Sequence, residues 1–371
     1  MSGTTEGVAA TSRTNPMYGD QKLKLGLFAY SVSGGMVMMD NSPLRIEWDE
    51  MVSITKKAEA LDFELVVPVA RWRGYGGDTN YNGENFETFT WAAGLSAVTE
   101  KISVMATVHV PLIHPIAAAK MATTVDHISG GRFGMNIVMG WFAKEMAMFG
   151  VEQYEHDLRY AYGAEWLDVV NRLWSEENNF DFNGEFFQLK DLEARPTPIQ
   201  DRPLILNAGT SPAAQEFSAE YVDFIFGVPP SLEAASRLVV DARDRAGARG
   251  RRLDVLSCVM VICRDSKDEA EAIYEEILEK GDWKGAEEVM EALKIDSGSF
   301  GDTLRDFQAR FVVGFGTQVV VGTPETVVEE LSALSAAGIE GVLMGFVDYD
   351  EELDYFRDKI MPLLKEAGLR H

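Results

Sequence analysis

The chain has 371 residues, enough for one large α/β domain or two smaller ones. Lys plus Arg number 34 and Asp plus Glu 59, and the net charge of −25 disfavours nucleic acid, an anionic membrane surface or an acidic protein as partner. The two cysteines, Cys258 and Cys263, share one apolar run, which suits a reducing cytoplasm, and no apolar stretch is long enough to span a bilayer.

In chain order, residues 1–21 are Gly/Ser/Thr-rich without an apolar signal core and predict a disordered tail, followed by one domain over 22–371. Leu23 to Ala29 reads as a first strand, and Trp48, Met51, Ile54, Ala58 and Leu61 recur at helical spacing, predicting a helix over 47–61. Phe63 to Val69 is a second strand, followed by the glycine-rich loop Arg71-Trp-Arg-Gly-Tyr-Gly-Gly77. A helix over 84–98 leads to a third strand, Ile102 to Val108, and a helix over 115–128 ends at a glycine pair that supplies left-handed backbone. Arg132 to Met139 is a fourth strand, mostly apolar, with Asn136 as its one amide. A long helix over 156–174 precedes Phe180-Asp-Phe-Asn-Gly-Glu-Phe-Phe187, whose alternation around Asn-Gly predicts a hairpin.

Pro203 to Asn207 is a fifth strand, and Ser211-Pro212 is a helix start with serine as cap. Further strands read as Val222 to Gly227, Leu253 to Cys263 and Gly341 to Phe346, with helices over 231–246, 268–280, 324–334 and 351–367. Eight strand-then-helix units predict a (β/α)₈ TIM barrel, with insertions near 70–84, 175–200 and 281–318. A doubly wound sheet would call for a glycine phosphate fingerprint after its first strand, and none stands there.

In such a barrel, reacting groups sit where the strands end. The polar residues at those positions are Tyr30, Arg71, Arg73, Thr107, His109, Asn136, Trp141, Asn207 and Ser211. The five histidines show no metal-ligand spacing, and no G-x-S-x-G elbow is present. A site offering amides, hydroxyls and arginines but few acids or bases points to a cofactor that carries the difficult chemistry. Each residue also has a plain structural reading. Asn136 can be a core amide bonded to a neighbouring strand, Thr107 a strand filler, Glu145 part of a solvated helix face and Ser211 an ordinary N-cap.

Five stretches together resemble the bacterial-luciferase-like flavin monooxygenases, in the pyrimidine and dimethyl-sulfone monooxygenase branch. They are Arg73-Gly-Tyr-Gly-Gly77, Ile128 through Val138 with Gly140-Trp141, Glu155-His-Asp-Leu-Arg-Tyr160, Phe180 through Phe187, and Val321-Gly-Thr-Pro-Glu325. The resemblance implies a TIM barrel that takes reduced FMN from a separate NAD(P)H:flavin reductase and uses O₂ to insert one oxygen atom, by way of a flavin peroxide at N5. It further implies a homodimer or dimer of dimers. Carried over by position, Thr107 and Asn136 match the oxygen-side pair, and Asn136 also matches an asparagine that contacts the flavin near N5. Arg71, Glu145, Arg159, Tyr160 and Ser211 match flavin-binding positions, the last three at the phosphate. Arg71 stands where relatives carry a lysine, on a slightly longer loop. Strand-end position adds Tyr30, Met39, Tyr75 and Trp141 as substrate-facing candidates.

The implied reaction is cleavage of a C–N bond in a small N-heterocycle of pyrimidine or pyridine type. Val32-Ser-Gly-Gly35, Gly140-Trp-Phe142 and Glu155-His-Asp157 lean instead to a C–S-cleaving sulfone or alkanesulfonate oxygenase. An F420-dependent oxidoreductase and a catalytically silent flavin-binding homologue are the remaining alternatives.

Overall fold

A computed structural model describes residues 15–175, 179–209, 211–295 and 304–371. Eight parallel strands close into a barrel: β1 (Lys24–Phe28), β2 (Leu65–Val67), β3 (Ser103–His109), β4 (Phe133–Val138), β7 (Leu204–Asn207), β8 (Phe224–Gly227), β9 (Asp254–Cys263) and β11 (Gly341–Gly345). Both faces of each strand are covered, which explains why the sequence shows continuous apolar runs at these places. Alternate residues divide between two cores. Leu65, Met105, Leu204, Leu256 and Leu343 fill the barrel interior. Leu25, Val66, Val104, Ile137 and Val342 face the surrounding helices. Gly134 makes room for this interior layer, because a Cβ there would lie 2.6 Å from Met105 Sδ and 2.9 Å from Leu204 Cβ.

The expected helices form around the barrel, with ends set by local capping. α1 is Trp48–Ala60, and α2 is Thr88–Ser96. α2 starts later than the periodicity suggests because the Glu87 carboxylate accepts from the N–H groups of Phe89 and Thr90. α3 (Pro115–Ser129) ends where predicted, at Gly130 with φ +66°. Arg132 then ties this corner together, donating to the carbonyls of Ser96, Thr99, Ile102 and Ser129. A short α4 (Ala143–Met148) precedes α5 (His156–Trp174), and α6 (Pro212–Tyr221), α7 (Leu232–Gly247) and α8 (Lys267–Glu279) follow. The last helix begins at Tyr349, capped by Asp348, and passes through a π-helical turn, Phe356–Ile360, into Met361–Glu366.

Four features differ from the sequence expectation. The hairpin pairs β5 (Phe180–Asn183) with β6 (Gln188–Leu192), so its second strand lies beyond Phe187. The Glu165 carboxylate on α5 fixes the turn by accepting from the N–H groups of Glu185, Phe186 and Phe187. The expected insertion at 281–318 holds α9 (Trp283–Ala292) and α10 (Leu304–Gly314), with 296–303 outside the described residues. An additional strand, β10 (Gln318–Gly322), pairs with the C-terminal half of β9 outside the ring of eight. Finally, of the expected tail only 1–14 lies outside the described residues. Within 15–21, Asn15 and Met17 are buried, Asn15 Nδ2 donating to Ser103 Oγ (3.3 Å), while Tyr18, Gly19 and Asp20 are exposed. Among the described residues no helix is long and apolar enough to cross a membrane.

Candidate active site

The register of β3 against β4 places Thr107 beside Asn136, near the C-terminal ends of both strands. Asn136 Nδ2 donates to Thr107 Oγ1 at 3.2 Å, and the Thr107 hydroxyl donates to the carbonyl of Pro68. Thr88 Oγ1 donates to the Thr107 carbonyl at 2.6 Å, anchoring the start of α2 to the same strand. Both side chains are buried, and Asn136 Oδ1 has no hydrogen-bond partner among the described residues. A plain core amide would have both ends satisfied.

His109 follows two residues after Thr107, on the same face of β3. Its Nε2 lies 3.5 Å from Arg71 Nη2, and its Nδ1 has no partner among the described residues. Burial first, and the Arg71 charge second, hold the His109 pKa down at about 3. At neutral pH the imidazole is therefore uncharged. The 3.7 Å approach of its Nε2 to the Glu145 carboxylate is accordingly no ion pair.

Arg71 is the charged centre of the mouth. Its Nη1 pairs with Glu145 Oε2 at 3.3 Å, and the two side chains are 4 % and 0 % exposed. The other Glu145 oxygen accepts from the Trp72 N–H at 2.7 Å. Burial raises the Glu145 pKa, while Arg71 and that N–H pull it down. Above the guanidinium lie the rings of Tyr75, Trp141 and Phe142, at 5.1, 5.2 and 5.7 Å. Burial pushes the Tyr75 phenol up to about 12, so it stays protonated. Arg71 faces the Glu145 carboxylate directly, the Arg73 charge also acts on Glu145, and His109 and Tyr75 are neutral.

A second cluster meets the first at the end of β4. Arg159 Nη1 donates to the Gly140 carbonyl at 3.3 Å, and its buried Nε has no partner among the described residues. Ser211 caps α6 by accepting from the Ala214 N–H, and the Tyr160 hydroxyl hydrogen-bonds Ser211. Asn207 bridges toward β4, donating to the Ile137 carbonyl and accepting from the Gly209 N–H. Gly209 is required here, because a Cβ would sit 2.3 Å from the Tyr160 hydroxyl oxygen. A helix N-terminus, a guanidinium with a spare donor and two hydroxyls make a suitable anion cradle.

The structure thus gathers Thr107, Asn136, Arg71, Glu145, Tyr75 and Trp141 in one region, with Arg159, Tyr160 and Ser211 adjoining it. Tyr30 is not among them. Its hydroxyl bonds Thr55 Oγ1 on α1 at 2.6 Å, and its ring packs near Trp91 and Tyr349. The chain turns at Ala29, with φ +66°, and sends Tyr30 outward under the helices. Met39 instead forms a bridge with Gly281 of the insertion. His109, one of the strand-end polar residues, joins the site with no role assigned to it by the family motifs; its i, i+2 spacing from Thr107 places it on the same face.

Residues 23–341 match the family model described as luciferase-like monooxygenase. The chain belongs to that family. It is an enzyme, a flavin-dependent monooxygenase, as the resemblance implied. It is 32 % identical over 359 residues to the FMNH(2)-dependent dimethylsulfone monooxygenase of Pseudomonas putida, covering 93 % of this chain and 96 % of the relative. It is 34 % identical over 356 residues to pyrimidine monooxygenase RutA of Pseudomonas syringae pv. syringae (strain B728a), covering 92 % and 96 %. Its fold matches a crystal structure of riboflavin lyase (RcaE) with a TM-score of 0.84 at 21 % identity, covering 94 % and 92 % of the two chains.

Proposed function

We propose that this protein oxygenates a small N-heterocycle and cleaves one of its C–N bonds, using O₂ and reduced FMN delivered by a separate flavin reductase. When bound, reduced FMN supplies the electrons that activate O₂. The cradle of Arg159, Tyr160, Ser211 and the α6 N-terminus suits the FMN phosphate, since a guanidinium fork and free helix N–H groups both favour a dianion. Thr107 and Asn136 stand where the reacting oxygen would be oriented, and both can hydrogen-bond without titrating. The observation that carries this reading is the unpartnered Asn136 Oδ1, buried beside Thr107 in register. Arg71 and Glu145 would flank the ring system, and Tyr75 and Trp141 would keep water from it.

A second reading, sulfone oxygenation with C–S cleavage, is favoured by the nearly equal identity to the dimethylsulfone and pyrimidine enzymes. One experiment separates the two. The protein is incubated with a generic FMN reductase, NADH and ¹⁸O₂, and offered uracil, a pyridine-type heterocycle and dimethyl sulfone. The proposal expects one ¹⁸O in a ring-opened product. Labelled product from the sulfone alone selects the second reading, and unlabelled or absent product from all three contradicts both.

A further inference from the structure

We propose that His109 is a specificity-determining residue whose Nδ1–H donates to an acceptor atom of a small, neutral substrate lodged in the cavity beside Thr107. The proposal rests on the oxygenase reading above and names the chemical class that its site accepts. The cavity, about 260 Å³, is lined by Arg71, Asn85, Phe86, Thr88, Thr107 and His109, among others. It falls below the roughly 300–1,000 Å³ typical of drug-sized ligands, so a single ring or a compact molecule suits it.

Several donors around the cavity are already committed. The Thr107 hydroxyl hydrogen is committed to Pro68, and that of Thr88 to the Thr107 carbonyl. Arg71 Nη2 carries only donors, so His109 Nε2 accepts from it, and in a neutral imidazole the proton then resides on Nδ1. Burial and the neighbouring guanidinium keep the ring neutral. Nδ1–H is left without a hydrogen-bond partner among the described residues, whereas Arg71 Nη1 faces Glu145 Oε2. A buried donor left so is costly unless a ligand completes it.

Charge narrows the class further. Arg71 is already opposed by Glu145, His109 is neutral, and Glu87 adds a carboxylate to the lining, so the pocket has no spare positive charge to offset an anion stripped of water. Ring carbonyls, ring nitrogens and sulfonyl oxygens of neutral molecules fit. A sulfonate or carboxylate does not.

The test uses the full chain labelled with ¹⁵N-histidine, with and without oxidised FMN. At neutral pH, His109 is expected as the Nδ1–H tautomer, and its Nδ1 resonance should shift on addition of uracil or dimethyl sulfone but not of methanesulfonate. In turnover, His109→Leu and His109→Gln should raise KM roughly 10- to 100-fold, while His109→Asn, whose amide nitrogen takes nearly the place of Nδ1, should recover part of the loss. FMN affinity should stay within about twofold in all three, since an altered barrel would lower it. An Nδ1 resonance that ignores every neutral probe, or moves equally with methanesulfonate, overturns the proposal, as does wild-type KM in His109→Leu. A shifted resonance without labelled product would sink the oxygenase reading and leave this subsite standing. Product without a shift would do the reverse.

Discussion

Asn136 Nδ2 reaches Thr107 Oγ1 across 3.2 Å between two strands that also pair these residues in register, so neither side chain can move without disturbing the other. Because Thr107 gives its own hydrogen to Pro68, the pair presents a lone pair and an amide oxygen at the end of the barrel. Thr107→Ala and Asn136→Ala should each bind FMN within a few-fold of wild type. Oxygenated product per NADH should fall roughly 100-fold, the scale for removing one oriented polar group from an active site, with hydrogen peroxide released instead. Fully coupled turnover in both variants would contradict the assignment.

Glu145→Gln keeps an acceptor for the Trp72 N–H but removes the charge opposite Arg71, leaving a buried guanidinium unpaired. Breaking a buried pair in this way costs about 3–5 kcal/mol. Urea unfolding of the purified variant should show that loss, and an unchanged midpoint would mean that water already reaches the pair.

The phosphate cradle is tested by ligand choice. Arg159→Leu and Ser211→Ala should weaken FMN roughly 10- to 100-fold, as expected on losing a charge-assisted hydrogen bond, while riboflavin affinity stays as in wild type. Equal losses for FMN and riboflavin would place the phosphate elsewhere.

Glu352, buried near the ends of β9 and β11, has its carboxyl pushed up to about 7 by burial, which outweighs its ion pair with Arg264. Between pH 4.5 and 7 the folded chain holds a proton that the unfolded chain has released, so stability falls as pH rises through this window. Over the whole window the shift is worth about 3 kcal/mol. Glu352→Gln should therefore gain on wild type by that order between pH 4.5 and 8 in urea titrations. A pH-independent difference between the two proteins would refute this.

The eight barrel strands were legible because strands buried on both faces are written as short apolar runs, and Gly130 marked the end of α3 by its chemistry alone. Arg132 illustrates a motif residue whose role the sequence did not disclose. It sits in the most family-like stretch, yet its guanidinium is spent on four backbone carbonyls and lies away from the mouth. Strand-end position misplaced Tyr30, since the outward turn at Ala29 depends on a left-handed φ that no glycine announces. The clamp between the 71–84 loop and the insertion was equally hidden. There Asp282 accepts from both the N–H and the hydroxyl of Thr79, and no local pattern joins residues so far apart. β10 escaped because it is only half-buried, and its apolar run was short.

Reduced flavin is expected to dock its ring system against Thr107 and Asn136 with its phosphate at Ser211. A crystal structure of the protein soaked with FMN tests this most directly. The ring should lie within contact distance of both side chains, with the phosphate between Arg159 and the start of α6. Density for the ring on the far side of Arg71, out of reach of Asn136 Oδ1, would contradict it.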